Sequence, residues 1–142
     1  LFRAQKRNIF FSCPLDPTHM RILFVDDLPD TREVFKLAFG IQGHHTQLAA
    51  NGREAVEAVR DGSFDAVIID VEMPEMNGFD AVKHIRQLDH GRQVPIIMFT
   101  AYGDNEAQDK ASDAGADLLL HKPILPQELL LRIQQLSDNH TA

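Results

Sequence analysis

A chain of 142 residues is the length of one domain and can bury a proper hydrophobic core. Its hydrophobic fraction of 44% and charged fraction of 25% are those of an ordinary globular protein, and no apolar run approaches the roughly 20 residues that span a bilayer. The net charge of −7 argues against direct nucleic-acid binding, which needs clustered Lys and Arg, and suits a protein that binds cations or basic partner surfaces.

Leu1–Met20 mixes Arg3, Lys6 and Arg7 with Ile9, Phe10 and Phe11 and breaks at Pro14 and Pro17. It lacks the apolar core and cleavage site of a signal peptide and reads as a linker or the tail of a preceding element, with an extra strand suggested at Asn8–Ser12. Its one cysteine, Cys13, excludes an internal disulfide framework and fits a reducing, cytoplasmic compartment. Because the sequence opens on Leu1, the chain is expected to be a segment of something longer.

Regular structure is predicted from Arg21 onward. Ile22–Val25 is a short strand ending in Asp26 and Asp27. Pro29 and Asp30 open a helix, where a first-turn proline costs nothing and an acid suits the dipole, with Val34, Leu37 and Ala38 expected inward. Gly40 and Gly43 end it. His45–Ala49 reads as a more polar edge strand, and Asn51 caps a helix to about Arg60 with Ala55, Val56 and Val59 inward. Ala66–Ile69 is an apolar, β-branched strand buried on both faces, running into Asp70 and a turn at Met73–Gly78. Phe79–Gln87 is a helix burying Phe79, Val82 and Ile85. Pro95–Phe99 is a fourth strand, ending at Thr100. A helix covers Ala107–Ala114, starts a little earlier and stops at Gly115. Leu118–Leu120 is a fifth strand, leading to His121, Lys122 and Pro123. Gln127–Leu136 closes the fold, with Leu129, Ile133 and Leu136 on one side and Leu131 nearly opposite, and Ser137–Ala142 is expected to fray.

Strands alternating with helices of about ten residues predict a parallel sheet covered on both faces. Five such units fit an α/β, flavodoxin-like, doubly wound five-stranded sheet of order 2-1-3-4-5, whose switch point lies between the first and third strands. That topology sends Asp26, Asp27, Asp70, Thr100 and Lys122, each at a strand end, to one edge. Any of them alone has a plainer reading: a turn-capping Asp, a solvated acidic turn, a turn threonine, a surface lysine. Together they compose a chemistry. Converging carboxylates resist ionisation unless neutralised, and Mg²⁺ suits a site of few carboxylates that keeps several waters. One carboxylate can then attack phosphorus, while the Thr100 hydroxyl and the Lys122 ammonium stabilise the phosphoryl oxygens. The scattered histidines carry no paired ligand spacing, so His44, His45, His84 and His90 are expected on the solvated surface and His121 away from the chemistry.

From Arg21 to Leu136 the sequence resembles the receiver domain of two-component response regulators. The resemblance rests on Val25-Asp26-Asp27, the run from Asp70 through Glu72, Pro74 and Asn77 to Gly78, Phe99-Thr100-Ala101, Gly115-Ala116-Asp117 and Lys122-Pro123. It implies that Asp70 is the phosphoacceptor, that Asp27, Asp70 and the Glu72 backbone carbonyl ligate Mg²⁺, and that Asp26 acts largely through water. It further implies that Thr100 and Lys122 hold the phosphoryl group and that the peptide bond before Pro123 is cis. The implied donor is a phosphohistidine on a sensor histidine kinase or a histidine phosphotransfer domain, and the receiver's own site catalyses the transfer. Phosphorylation would then rearrange the face of the fourth helix, fifth strand and fifth helix, where a downstream protein or a second copy would bind. On this reading residues 1–20 are a linker, 21–137 the receiver and 138–142 a tail. The wording around Asp70 and the basic leader resemble receivers of hybrid sensor kinases.

One position departs from the pattern. The family usually carries Tyr or Phe three residues before the lysine, where this chain has Leu119, so the aromatic readout of the switch is altered. Tyr102 is expected over the site mouth instead, where with Glu72 it would influence how water reaches the phosphoryl group. Two other classes fit parts of the sequence. A haloacid-dehalogenase-like phosphatase also uses Asp, Thr, Lys and Mg²⁺, but its nucleophile sits on the first strand. A non-phosphorylated interaction module would have no need of Asp26, Asp27, Asp70, Thr100 and Lys122. Direct contact with nucleic acid or membrane is not expected.

Overall fold

Five strands form where the apolar runs predict them: β1 (Arg21–Val25), β2 (His45–Ala49), β3 (Ala66–Asp70), β4 (Ile96–Thr100) and β5 (Leu118–His121). The structure is a computed structural model that describes residues 19–141; the suggested strand at Asn8–Ser12 and Cys13 lie outside them. All strand pairs are parallel and the order is β2-β1-β3-β4-β5. Every residue of β3 and β4 is buried, whereas β2 alternates buried with exposed positions at its edge of the sheet. This is the expected contrast between central strands covered on both faces and an edge strand.

Between the strands run α1 (Pro29–Ile41), α2 (Gly52–Asp61), α3 (Gly78–Arg86), α4 (Asn105–Ala114) and α5 (Pro126–Thr141). Side chains of period two along each strand feed two cores. Leu23, Val25, Val67 and Ile69 meet α2, α3 and α4 on one face. Ile22, Phe24, Ile68 and Ile97 meet Phe39 of α1 and Leu129 and Ile133 of α5 on the other. Local signals set the helix ends. Asn51, Asn77 and Asp104 each accept an N–H of their helix's first turn. Gly115 ends α4 at φ +109°, a left-handed conformation that favours glycine.

The structure corrects several expectations. Val34 and Leu37 do not face inward; they are 58% and 68% exposed, and only Ala38 of that trio is half-buried. The inward stripe is Phe35 and Phe39, four residues apart. Phe35 stacks on Phe24 at 4.7 Å between ring centroids, and Phe39 meets the same ring edge-on at 6.3 Å. Aromatic rings bury more area than Val or Leu, so they take the core side and leave the smaller residues outside. His44 is buried rather than solvated, its Nδ1 accepting the Met20 N–H at 3.1 Å. His45, His84 and His90 are exposed as expected. Helix α5 continues to Thr141 instead of ending at Leu136, because Ser137–Thr141 contains no Pro or Gly to stop it. Phe79 is half-buried, while Ala81, Val82 and Ile85 fill the α3 core positions.

No sequence signal marks a clamp that joins the end of α3 to the starts of β4 and β5. Arg86 at the end of α3 donates to the carbonyls of Gly91, Val94 and Gly115 and pairs with Asp117 at 3.0 Å. Asp117 in turn accepts the Ile96 N–H, fixing where β4 starts. Burial lowers the Arg86 pKa, against the pull of Asp117.

Candidate functional site

The sheet's register turns scattered residues into one site. Val25 pairs with Ile69, Asp70 with Phe99, and Thr100 with His121. The residues just after or at the ends of β1, β3, β4 and β5 therefore lie side by side along the carboxyl edge, at the switch point where α/β sheets bind ligands. Asp26, Asp70 and Thr100 are buried there, with exposures of 0%, 2% and 0%. One carboxylate oxygen from each of Asp26, Asp27 and Asp70 falls within 4.8 Å of the others. Lys122 reaches across from β5, its Nζ 3.1 Å from Asp70 Oδ2 and 5.0 Å from the Phe99 ring centre. The Lys122–Pro123 peptide bond is cis, as the resemblance implied.

Backbone geometry holds the acids in place. Asp70 Oδ1 accepts the Glu72 N–H at 3.2 Å, and Asp26 Oδ1 accepts the Leu28 N–H at 2.8 Å. A Cβ on Gly78 would lie 2.3 Å from the Asp70 carbonyl oxygen, so only glycine lets α3 start this close to the acid. Arg32 of α1 donates to the Asp26 carbonyl at 2.7 Å and steadies the β1 end from outside.

The electrostatics leave room for a cation. One ammonium faces three carboxylates. Burial pushes the Asp70 carboxyl up to about 6, even though Lys122 pulls it down. Burial also raises Asp26, assisted by the neighbouring Asp27 charge and opposed by the Leu28 N–H and Lys122. Asp26 Oδ2 is buried with no hydrogen-bond partner among the described residues. An orphaned carboxylate oxygen in an acid cluster fits a hard, oxygen-seeking divalent ion or one of its waters.

The remaining candidates separate clearly. The Thr100 hydroxyl donates to Glu72 Oε2, accepts the Tyr102 N–H at 3.0 Å, and lies on the strand next to Asp70. The Ala101 N–H reaches Glu72 Oε1 at 3.3 Å. Tyr102 engages Thr100 through its backbone, while its side chain projects outward at 73% exposure. Leu119 is buried and packs in the core shared with α4. His121 is exposed, with Nδ1 against the Lys122 carbonyl at 2.6 Å. The engagement of the Glu72 side chain with Thr100 was not anticipated, because 28 residues separate the two and no spacing rule joins a turn to a distant strand end. Arg32 gave no signal beyond its place in the first turn of a helix.

Comparison with known proteins agrees with this geometry. Residues 22–134 match the model of the response regulator receiver domain family. The Escherichia coli regulatory protein AtoC is 39% identical over 115 residues, which are 81% of this chain and 24% of AtoC. The chain thus spans about a quarter of that relative. The Vibrio cholerae chemotaxis protein CheY4 superposes with a TM-score of 0.78 at 34% identity, over 82% of this chain and 97% of that one. The receiver domain of the sensor histidine kinase PA1611 from Pseudomonas aeruginosa superposes with a TM-score of 0.77 at 30% identity, over 84% of this chain and 98% of that one. That structure has a magnesium ion coordinated in its active-site cleft.

Proposed function

The chain belongs to the response regulator receiver domain family of two-component signalling, and from that premise we propose that Asp70 takes a phosphoryl group from a phosphohistidine of a partner kinase or phosphotransfer domain. The observation that carries this reading is the buried Asp70 carboxylate with the Lys122 ammonium at 3.1 Å. Thr100 stands on the neighbouring strand end.

The chain's own residues divide the work. An Asp70 carboxylate oxygen attacks phosphorus in line. An O–P bond forms as the donor's P–N bond breaks, and the imidazole leaves with the electron pair. Lys122 offsets the charge on the phosphoryl oxygens, and the Thr100 hydroxyl donates to one of them. Asp27, Asp70 and the Glu72 carbonyl would hold Mg²⁺, with Asp26 acting through a water. The ion would supply the charge neutralisation that three clustered acids require.

The phosphorylated site then biases the face formed by α4, β5 and α5, through Thr100 and the buried Leu119, toward a downstream protein or a second copy. Residues 21–137 form the receiver unit, with 1–20 as leader and 138–142 as tail. The likeness to a sensor-kinase receiver supports an origin in a hybrid kinase. Among the described residues no helix is long and apolar enough to cross a membrane. A phosphohistidine donor, loaded from ATP, would meet the domain in the cytoplasm. The phosphatase alternative gains nothing from the site, whose buried nucleophile candidate lies on the third strand rather than the first.

Incubation with a ³²P-phosphohistidine phosphotransfer domain tests the donor class. Label should pass to the wild-type chain with Mg²⁺ present, and not to Asp70→Asn. Retention of all label on the donor would refute a protein-phosphohistidine source. Following decay of the transferred label in Tyr102→Ala and Glu72→Ala tests whether these two residues govern water access; lifetimes equal to wild type would refute that role.

A further inference from the structure

Glu72 touches both ends of the switch. Its backbone N–H bonds Asp70 Oδ1 at 3.2 Å. Its carboxylate accepts the Thr100 hydroxyl through Oε2 and the Ala101 N–H through Oε1 at 3.3 Å. One side chain therefore ties the start of the β4–α4 loop to the turn after β3.

A threonine hydroxyl carries a single proton. In this structure that proton is donated to Glu72, while one of the oxygen's two lone pairs accepts the Tyr102 N–H. A phosphoryl group on Asp70 has no donor from Thr100 until the bond to Glu72 breaks. The two acceptors compete for one proton, and a phosphoryl dianion beside the Glu72 carboxylate adds like-charge repulsion that favours release.

We propose that Glu72 is a positioning residue that latches Thr100 in the unphosphorylated state, so that phosphorylation at Asp70 is coupled to release of the Thr100–Ala101 segment. The proposal rests on the receiver reading given above and adds to it a restraint that sets the resting equilibrium. Coupling is reciprocal, so weakening the latch must populate the released state before any phosphoryl arrives and tighten binding of a phosphoryl mimic by the same factor.

The test is methyl NMR of the Thr100 γ-methyl, with a titration of beryllofluoride and Mg²⁺, on the wild-type chain, Glu72→Ala and Glu72→Gln. Glu72 is only half-buried, so neither substitution removes core packing. Without ligand, the Glu72→Ala resonance should lie displaced toward the wild-type bound position, and beryllofluoride should bind roughly tenfold tighter, as expected for loss of a hydrogen bond to a charged group. Glu72→Gln keeps an acceptor and should stay near wild type in the ligand-free spectrum. A ligand-free Glu72→Ala resonance at the wild-type position overturns the latch. Equal tightening in Ala and Gln variants also overturns it, since charge alone would then account for the effect. Failure of the wild-type chain to bind beryllofluoride would strike the receiver reading instead, and a ligand-free Glu72→Ala resonance at the wild-type position would still overturn the latch.

Discussion

Asp70 is held in two conflicting conditions, buried as an apolar residue would be yet set against the Lys122 ammonium. Its carboxyl lies near 6 rather than 3.8 because burial outweighs the help from Lys122. A raised carboxyl pKa means that the native state binds the proton more tightly than the unfolded chain. The resulting stabilisation is fully present below 3.8 and is lost as pH rises to about 6. Above that window the buried charge opposes folding by about 3 kcal/mol. With chelator present, Asp70→Asn should therefore be more stable than wild type at pH 8 in urea denaturation, and the gap should narrow toward pH 5. A gap constant with pH would contradict the assigned cause. That Asp26, Asp27, Asp70, Thr100 and Lys122 share one sheet edge was legible because each follows or ends a short apolar run bounded by turn signals, which reads as a strand. The Glu72–Thr100 bond was not, since a turn side chain's partner depends on where two loops meet in space.

At the scale of elements, the order of strands and helices follows from turn signals and apolar periods, and the helix faces do so less reliably. In α1 the residues Val34, Leu37 and Ala38 share a helical face as well as Phe35 and Phe39 do. What decides between them is the Phe24 ring on β1, which the one-dimensional pattern does not reveal. The two stripes differ in a measurable way. Phe39→Ala removes a fully buried ring and should cost about 3–5 kcal/mol. Leu37→Ala trims an exposed side chain and should stay within about 0.5 kcal/mol of wild type. Chemical denaturation of both variants checks this, and comparable losses would mean that α1 packs by the other face. His44 follows the same logic: its sequence neighbours are polar, but the Met20 N–H gives its ring a buried partner.

For the whole molecule, the sheet edge gathers negative charge that the fold does not itself neutralise. Binding of Mg²⁺ to the native state alone should raise stability by about 2.7 kcal/mol at a hundredfold excess over Kd. Calorimetry should show the midpoint rising with Mg²⁺ in wild type and staying flat in an Asp26→Asn, Asp27→Asn double variant. An equal rise in both would move the ion elsewhere. Whether this arrangement makes Asp70 a phosphoacceptor served by its own site is answered by intact mass after incubation with acetyl phosphate and Mg²⁺. One phosphoryl adduct is expected on the wild-type chain, absent without Mg²⁺ and absent in Asp70→Asn. An adduct that persists in Asp70→Asn would place the nucleophile at another residue and contradict this expectation.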